Sequence, residues 1–226
     1  MPQGTKSGRC PLLADNIGNT PADQLLNRSL LSGKPGYEFR DRVCPWKEHA
    51  SRDVEENDHL SALVHLWIPF NAWAAAVVRD RKAADQDWRL IQAVMFDRKM
   101  SSRFQELLSG EASFRDKVKQ FGDLWPVFKV RALQEVGLGS WLGCQSRDEY
   151  RKVCLDKLTD PKDYQPRCFK NHPGAAPPID WPHTLAPIYQ VRCNLFHGGK
   201  AFEEEDYRFC QYAYEILKSV WLPELP

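Results

Sequence analysis

From Asn57 to about Arg81 the apolar residues Leu60, Leu63, Val64, Trp67, Phe70, Ala74, Val77 and Val78 recur at helical spacing, and this stripe constrains the fold more than any other feature of the chain. A helix that carries such a face has to bury it against other elements. The spacing predicts a long helix, capped by Asn57 or Asp58 and kinked or split at Pro69. Residues 60–78 also come closest to a membrane span. His65, Pro69 and Asn71 interrupt them and Asp58 and Arg79 flank them, so a packed helix is expected.

The same period runs on. A second helix is expected from Asp85 to Leu108, with Trp88, Ile91, Val94, Met95, Phe104 and Leu107 inward. A shorter one follows at Phe114–Phe121 and another around Trp125–Gln134. Residues 137–183 hold Pro161, Pro166, Pro173, Pro177, Pro178 and Pro182, and read as a long irregular insertion with one helix at Ser146–Leu158. Beyond it, Thr184 is placed to cap a helix with Pro187 in its first turn, running to His197 and stopped by Gly198 and Gly199. The acidic run Glu203–Asp206 suits the start of a last helix, whose stripe is Phe209, Ala213, Ile216, Leu217 and Val220. No strand hairpin is evident. The expected fold class is all-α, an antiparallel helical bundle over residues 57–226, preceded by an N-terminal arm at 1–56. That arm is punctuated by Gly, Pro, Asn and Asp, with a short helix near Asp23–Leu31, and would pack through Phe39, Val43 and Trp46.

Composition narrows the partners. With 42% hydrophobic residues, 8 Trp and 11 Phe, the chain can bury a core. A net charge of +1 gives no overall pull on nucleic acid, so any basic surface must be local. Seven cysteines is an odd number and the N-terminus lacks an apolar signal core, which points to reduced thiols in the cytoplasm. Cys144, Cys154 and Cys168 are too widely spaced for paired zinc ligands and no CxxC occurs, so neither metal nor cofactor is expected.

Chemistry concentrates before the last helix. At about 100° per residue, Leu185, Ile188, Val191, Leu195 and Phe196 share an arc with Arg192 among them, while Asn194 and His197 project elsewhere. A guanidinium there needs either a carboxylate in the core or an anion at a site, because it cannot shed its charge. His197 lies about 7.5 Å further along the axis, just before two glycines. Such a pair suits a phosphodiester: the Arg holds non-bridging oxygens and the His moves a proton. RNA brings its own nucleophile, the 2′-hydroxyl, so no metal is required.

The run Tyr189-Gln190-Val191-Arg192-Cys193-Asn194-Leu195-Phe196-His197-Gly198-Gly199-Lys200 resembles the R-x4-6-H signature of the HEPN superfamily. Trp67-Ile68-Pro69-Phe70-Asn71-Ala72-Trp73 resembles an aromatic helix found in several HEPN families. The resemblance implies a homodimer with facing motifs, in which Arg192 and His197 of both subunits form one endoribonuclease site. It implies Asn194 as a polar helper, although many members place that residue where Cys193 stands here. Lys200 and Tyr189 are candidate RNA contacts, and Trp181 and Tyr207 are further aromatics near the motif. The Tyr two places past the His in members silenced by nucleotidylation is Gly199 here. Toxins and anti-phage effectors are the implied setting, with an antitoxin or regulatory protein as partner and no membrane.

Arg42/His49, Arg52/His59 and Arg167/His172 also fit the bare pattern. The first encloses Pro45, the second ends where the long helix begins and the third lies between prolines, so none is expected at the C-terminal end of a helix. Two rival readings remain. One is a non-catalytic HEPN module that binds RNA, a nucleotide or a protein. The other is a helical scaffold with Arg192 paired internally.

Overall fold

A computed structural model describes residues 25–80, 86–138, 144–160, 163–164, 178–196 and 204–225. These residues are mainly helical, with one isolated antiparallel bridge between Leu26 and Val78 and no named strand among them. In chain order the helices are α1 (Lys34–Glu55), α2 (His59–Val77), α3 (Asp87–Met95), α4 (Arg98–Gly110), α5 (Ala112–Asp123), α6 (Val130–Glu135), α7 (Arg147–Lys157), α8 (Trp181–Phe196) and α9 (Glu204–Trp221).

α2 is the centre. Asp58 caps it by accepting from the Ser61 amide at 3.0 Å. It runs unbroken through Pro69, so the expected split does not occur. By length and composition α2 could cross a membrane, yet nine of its nineteen residues are buried in this structure. It packs against α1, α3, α8 and α9. Trp67, Trp73, Trp181 and Trp221 are all buried in the resulting core.

Several boundaries differ from expectation. Residues 34–55 form a 22-residue helix where the sequence reads as irregular. The Gly33-Lys34-Pro35-Gly36 stretch is a helix start with Pro in the first turn, where its missing N–H costs nothing. Only Gly36, Phe39, Val43 and Ala50 of α1 are buried, a stripe too sparse to stand out in the sequence. Phe39 and Val43 do enter the core, whereas Trp46 stays partly exposed. Of the expected helix at Asp23–Leu31, a 3-10 turn at Arg28–Leu31 forms, and residues 23–24 lie outside the described residues.

The expected Asp85–Leu108 helix is two helices. Asp97 breaks it, turning to extended backbone and capping α4 through the Met100 amide at 2.9 Å. The apolar period passes through the break because both helices face one core. Around 125–134, residues 125–129 are non-helical and α6 begins only at Val130. α5 and α7 form close to their expected places, and Ser146 caps α7.

α8 begins at Trp181, ahead of the expected Thr184 cap. Asp180 takes that role, accepting from the His183 amide at 2.9 Å, and Pro182 occupies the tolerant first turn. Pro187 therefore lies inside the helix. α9 opens at Glu204 in the acidic run, as expected.

Leu25 to Arg28 are tied to the body. Asn27 donates to Val77 and Arg79 to Leu25 through backbone bonds of 2.6 and 3.1 Å. Arg28 grips Asp97 with two bonds, 3.1 and 2.7 Å, and also donates to Glu224 next to the C-terminus. A smaller apolar cluster of Phe128, Ala132, Leu133, Tyr150, Cys154 and Leu158 joins α6 to α7.

Candidate functional site

Three helices surround Arg192. α8 carries it near its C-terminal end, α3 supplies Asp87 and Trp88, and α2 supplies Trp67. Arg192 Nη1 pairs with Asp87 Oδ2 at 3.2 Å. The guanidinium carbon stands 4.4 Å from the Phe196 ring centre and 5.8 Å from that of Trp67. The Arg192 side chain is 20% exposed and that of Asp87 45%, so the pair sits at the surface. Phe196, expected on the apolar arc, is 53% exposed and covers the guanidinium instead of joining the core. Nε of Arg192 has no hydrogen-bond partner among the described residues.

Tyr189 lies one turn back. Its ring meets Trp67 at 6.0 Å and Trp88 at 5.5 Å between centres. Burial, then the charge and hydrogen bond of neighbouring Cys193, hold its phenol well above its ordinary pKa, so Tyr189 is neutral and cannot serve as a base near pH 7. The indole N–H groups of Trp67 and Trp88 are also buried without partners among the described residues. The wall beside Arg192 is thus aromatic, with polar edges left unsatisfied.

Asn194 faces elsewhere. Two residues along a helix is a turn of about 200°, and that places Asn194 against the segment leading into α6. Its Nδ2 donates to the Phe128 carbonyl at 2.7 Å, and its Oδ1 accepts from Gln190 Nε2 at 2.9 Å and from the Val130 amide at 3.3 Å. Both ends of the amide are occupied. The polar-helper role implied by the resemblance would require breaking these bonds. Beside Asn194 is a cavity of about 60 Å³, lined by Phe128, Tyr150, Leu195 and Phe209 among others. Its volume falls short of the few hundred cubic ångströms that a nucleotide needs.

His197 and Lys200 lie outside the described residues, as does the Gly198-Gly199 stop. The structure therefore carries α8 to Phe196, one residue short of His197. Of the aromatics near the motif, Trp181 is fully buried with its N–H given to the Val94 carbonyl at 3.0 Å, which removes it as a base platform. Tyr207 is exposed on α9. Cys193 is half-buried and unoxidised.

Sequence reasoning missed Asp87 as the partner of Arg192. The only sequence signal was its position at the start of a helix, since pairing across more than a hundred residues leaves no local trace. No family model matches this chain, and no curated protein and no solved structure matches it.

Proposed function

We propose that this chain is a metal-independent endoribonuclease of HEPN type, in which Arg192 clamps the scissile phosphate and His197 moves the proton. The observation that supports this reading is the condition of Arg192. It is a guanidinium at the end of α8 whose carbon lies 4.4 Å from the Phe196 ring centre and 5.8 Å from that of Trp67, with Nε unpartnered among the described residues and a half-exposed Asp87 as its ion-pair partner. An ion pair this exposed contributes only about 0–1 kcal/mol to the fold, so the fold loses little when it opens. Asp87 is at the first position of α3 and open to water, so it can swing away when a phosphate oxygen takes its place.

The step is transesterification. The 2′-hydroxyl attacks phosphorus, its proton goes to one histidine, and the 5′-oxygen leaves with a proton from another, giving a 2′,3′-cyclic phosphate and a 5′-hydroxyl. Two histidines call for two copies of the chain, and a homodimer with paired Arg192 and His197 supplies them. Toxin or anti-phage defence is the proposed setting, with an antitoxin or regulatory protein as partner. Tyr189 contributes an aromatic wall and Lys200 a phosphate contact; Asn194 braces α8 against the 128–130 segment.

A second reading rests on the Arg192–Asp87 ion pair itself. In it the domain binds RNA, a nucleotide or a protein without cleaving, and Arg192 serves the fold. The test is cleavage of a mixed single-stranded and structured RNA pool in EDTA by wild type, Arg192→Ala and His197→Ala, with thermal melts alongside. Loss of cyclic-phosphate products in both folded variants supports the nuclease. A folded, dimeric wild type that leaves RNA intact favours the binding module.

A further inference from the structure

The fold uses little of α1. The helix packs on α2 and on the Arg28–Leu31 turn, and only Gly36, Phe39, Val43 and Ala50 of its 22 residues are buried. A helix with so narrow an apolar stripe needs ion pairs along its length or a further partner. Lys34–Glu38, at 3.7 Å, is the one ion pair within α1 among the described residues. Tyr37, Arg40, Asp41, Cys44, Lys47 and Glu48 lie within about 120° of arc on one flank of the helix. Tyr37 is 59% exposed, and the Arg40 guanidinium lies over its ring at 5.0 Å. Arg40, Asp41, Lys47 and Glu48 have no ion-pair partner among the described residues. Further along the same flank, Lys47, Glu48, Ser51, Arg52 and Glu55 border a hollow open to solvent.

We propose that this flank is an interface with a second copy of the chain, in which two α1 helices pack antiparallel about a twofold axis at Cys44. Length sets the register. Full overlap of two 22-residue helices puts the axis at their midpoint, which falls at Cys44 and Pro45. Each residue then faces the one equally far beyond Cys44 on the partner. Arg40 meets the partner's Glu48 and Asp41 meets the partner's Lys47, and the symmetry makes each pair twice. Tyr37 meets the partner's Ser51, so its ring enters the hollow that Glu48, Arg52 and Glu55 border. No two like charges oppose each other in this register.

A second copy is the occupant because one flank supplies both halves of every contact: the protruding ring and its hollow, the cations and the carboxylates. The strip is about 33 Å long, small for a permanent interface, so the contact is reversible and weakens with salt. It does not rest on the reading of Arg192. α1 meets α2 at His65 and Arg192 meets it at Trp67, two residues on and about 200° around the helix.

Axes 8–10 Å apart, the ordinary helix-packing distance, bring the two Cys44 Cα atoms to about 5 Å. Wild type, Arg40→Glu, Glu48→Arg and an equimolar mixture of the two variants are treated with a short bismaleimide at low salt. Peptides linked through Cys44 on both sides are quantified by mass spectrometry, with thermal melts alongside. Wild type should give the link. Each variant sets like charges against each other twice and should lower the yield roughly tenfold. The mixed pair restores opposite charges at both places and should recover most of the yield, which a damaged helix would not do. Arg192→Ala should link as wild type does. No Cys44 link in wild type, a yield that the variants leave unchanged, or a mixture no better than its parts overturns the proposal. Should a variant unfold, wild type is linked across a salt series. A yield that falls with salt supports the contact, and one that does not overturns it.

Discussion

Replacing Arg192 with alanine separates a site residue from a structural one by magnitude. The ion pair with Asp87 joins a carboxylate 45% exposed to a guanidinium 20% exposed, so solvent screening limits it to about 0–1 kcal/mol. Stacking on Phe196 and Trp67 at a partly open position adds about 0.5–1 kcal/mol. Removing Nε, which has no partner among the described residues, works in the opposite direction by relieving an unsatisfied buried donor. The net cost is about 1 kcal/mol, or about 2–4 °C in Tm for a chain of this size. Urea unfolding and calorimetry measure it directly. In the RNA assay, loss of a preorganised donor to the transition state should cost about 10²- to 10³-fold. A stability loss of about 4 kcal/mol or more would refute the reasoning, because only an enclosed pair leaves so expensive an orphan.

Arg28→Ala is the internal comparison: it strands Asp97, whose side chain is 3% exposed, and should cost about 3–5 kcal/mol by denaturant unfolding. Asp58→Ala removes the α2 cap and should cost about 1 kcal/mol at neutral pH. Burial pushes the Asp58 carboxyl up, but hydrogen bonds from the Ser61 hydroxyl and amide outweigh it and hold the folded pKa below the unfolded value. That stabilisation is present above about pH 4 and disappears as pH falls through the folded pKa, so wild type and variant should converge in acid unfolding. Burial foremost, then the charges of Asp206 and Asp58, push the Cys210 thiol up to about 12, so it should resist iodoacetamide at pH 8 in native protein and react once urea unfolds the chain. Rapid labelling of native Cys210, read by mass spectrometry, would contradict its burial.

What the sequence revealed and what it hid follow one physical rule. Local periodicity leaves a local trace, so α2, α5, α7 and α9 were legible from spacing alone. The breaks were less so. Asp97 interrupts an apolar period that resumes on the same face, and its capping role is fixed by Met100 and by Arg28 from a distant segment. Thr184 was the expected cap of α8, but Asp180 takes that place, and Pro182 then falls in the tolerant first turn. α1 was hidden by its polarity, since four buried residues in 22 make no visible stripe. Partners across the chain, such as Asp87 for Arg192 and Asp53 for His65, could not be read at all, because nothing in a linear pattern records a contact between helices.

The two faces of α8 divide the motif's labour. Arg192 and Asn194 are two residues apart and about 200° around the helix, so one cannot support the other at a single phosphate. Asn194 bonds the backbone at 128 and 130, which ties α8 to the smaller cluster around Phe128 and Tyr150. Gln190, one turn earlier, donates to Asn194 and closes that polar contact. Arg192 looks the other way, toward the aromatic wall of Trp67, Trp88 and Tyr189. Asn194 therefore fixes the helix that carries the Arg192 guanidinium. Asn194→Ala would then act through the position of α8. It should lower stability, by the loss of hydrogen bonds that leave a backbone carbonyl and amide short of partners, before it lowers any catalytic rate. A variant of unchanged stability but sharply reduced cleavage would instead put Asn194 at the phosphate.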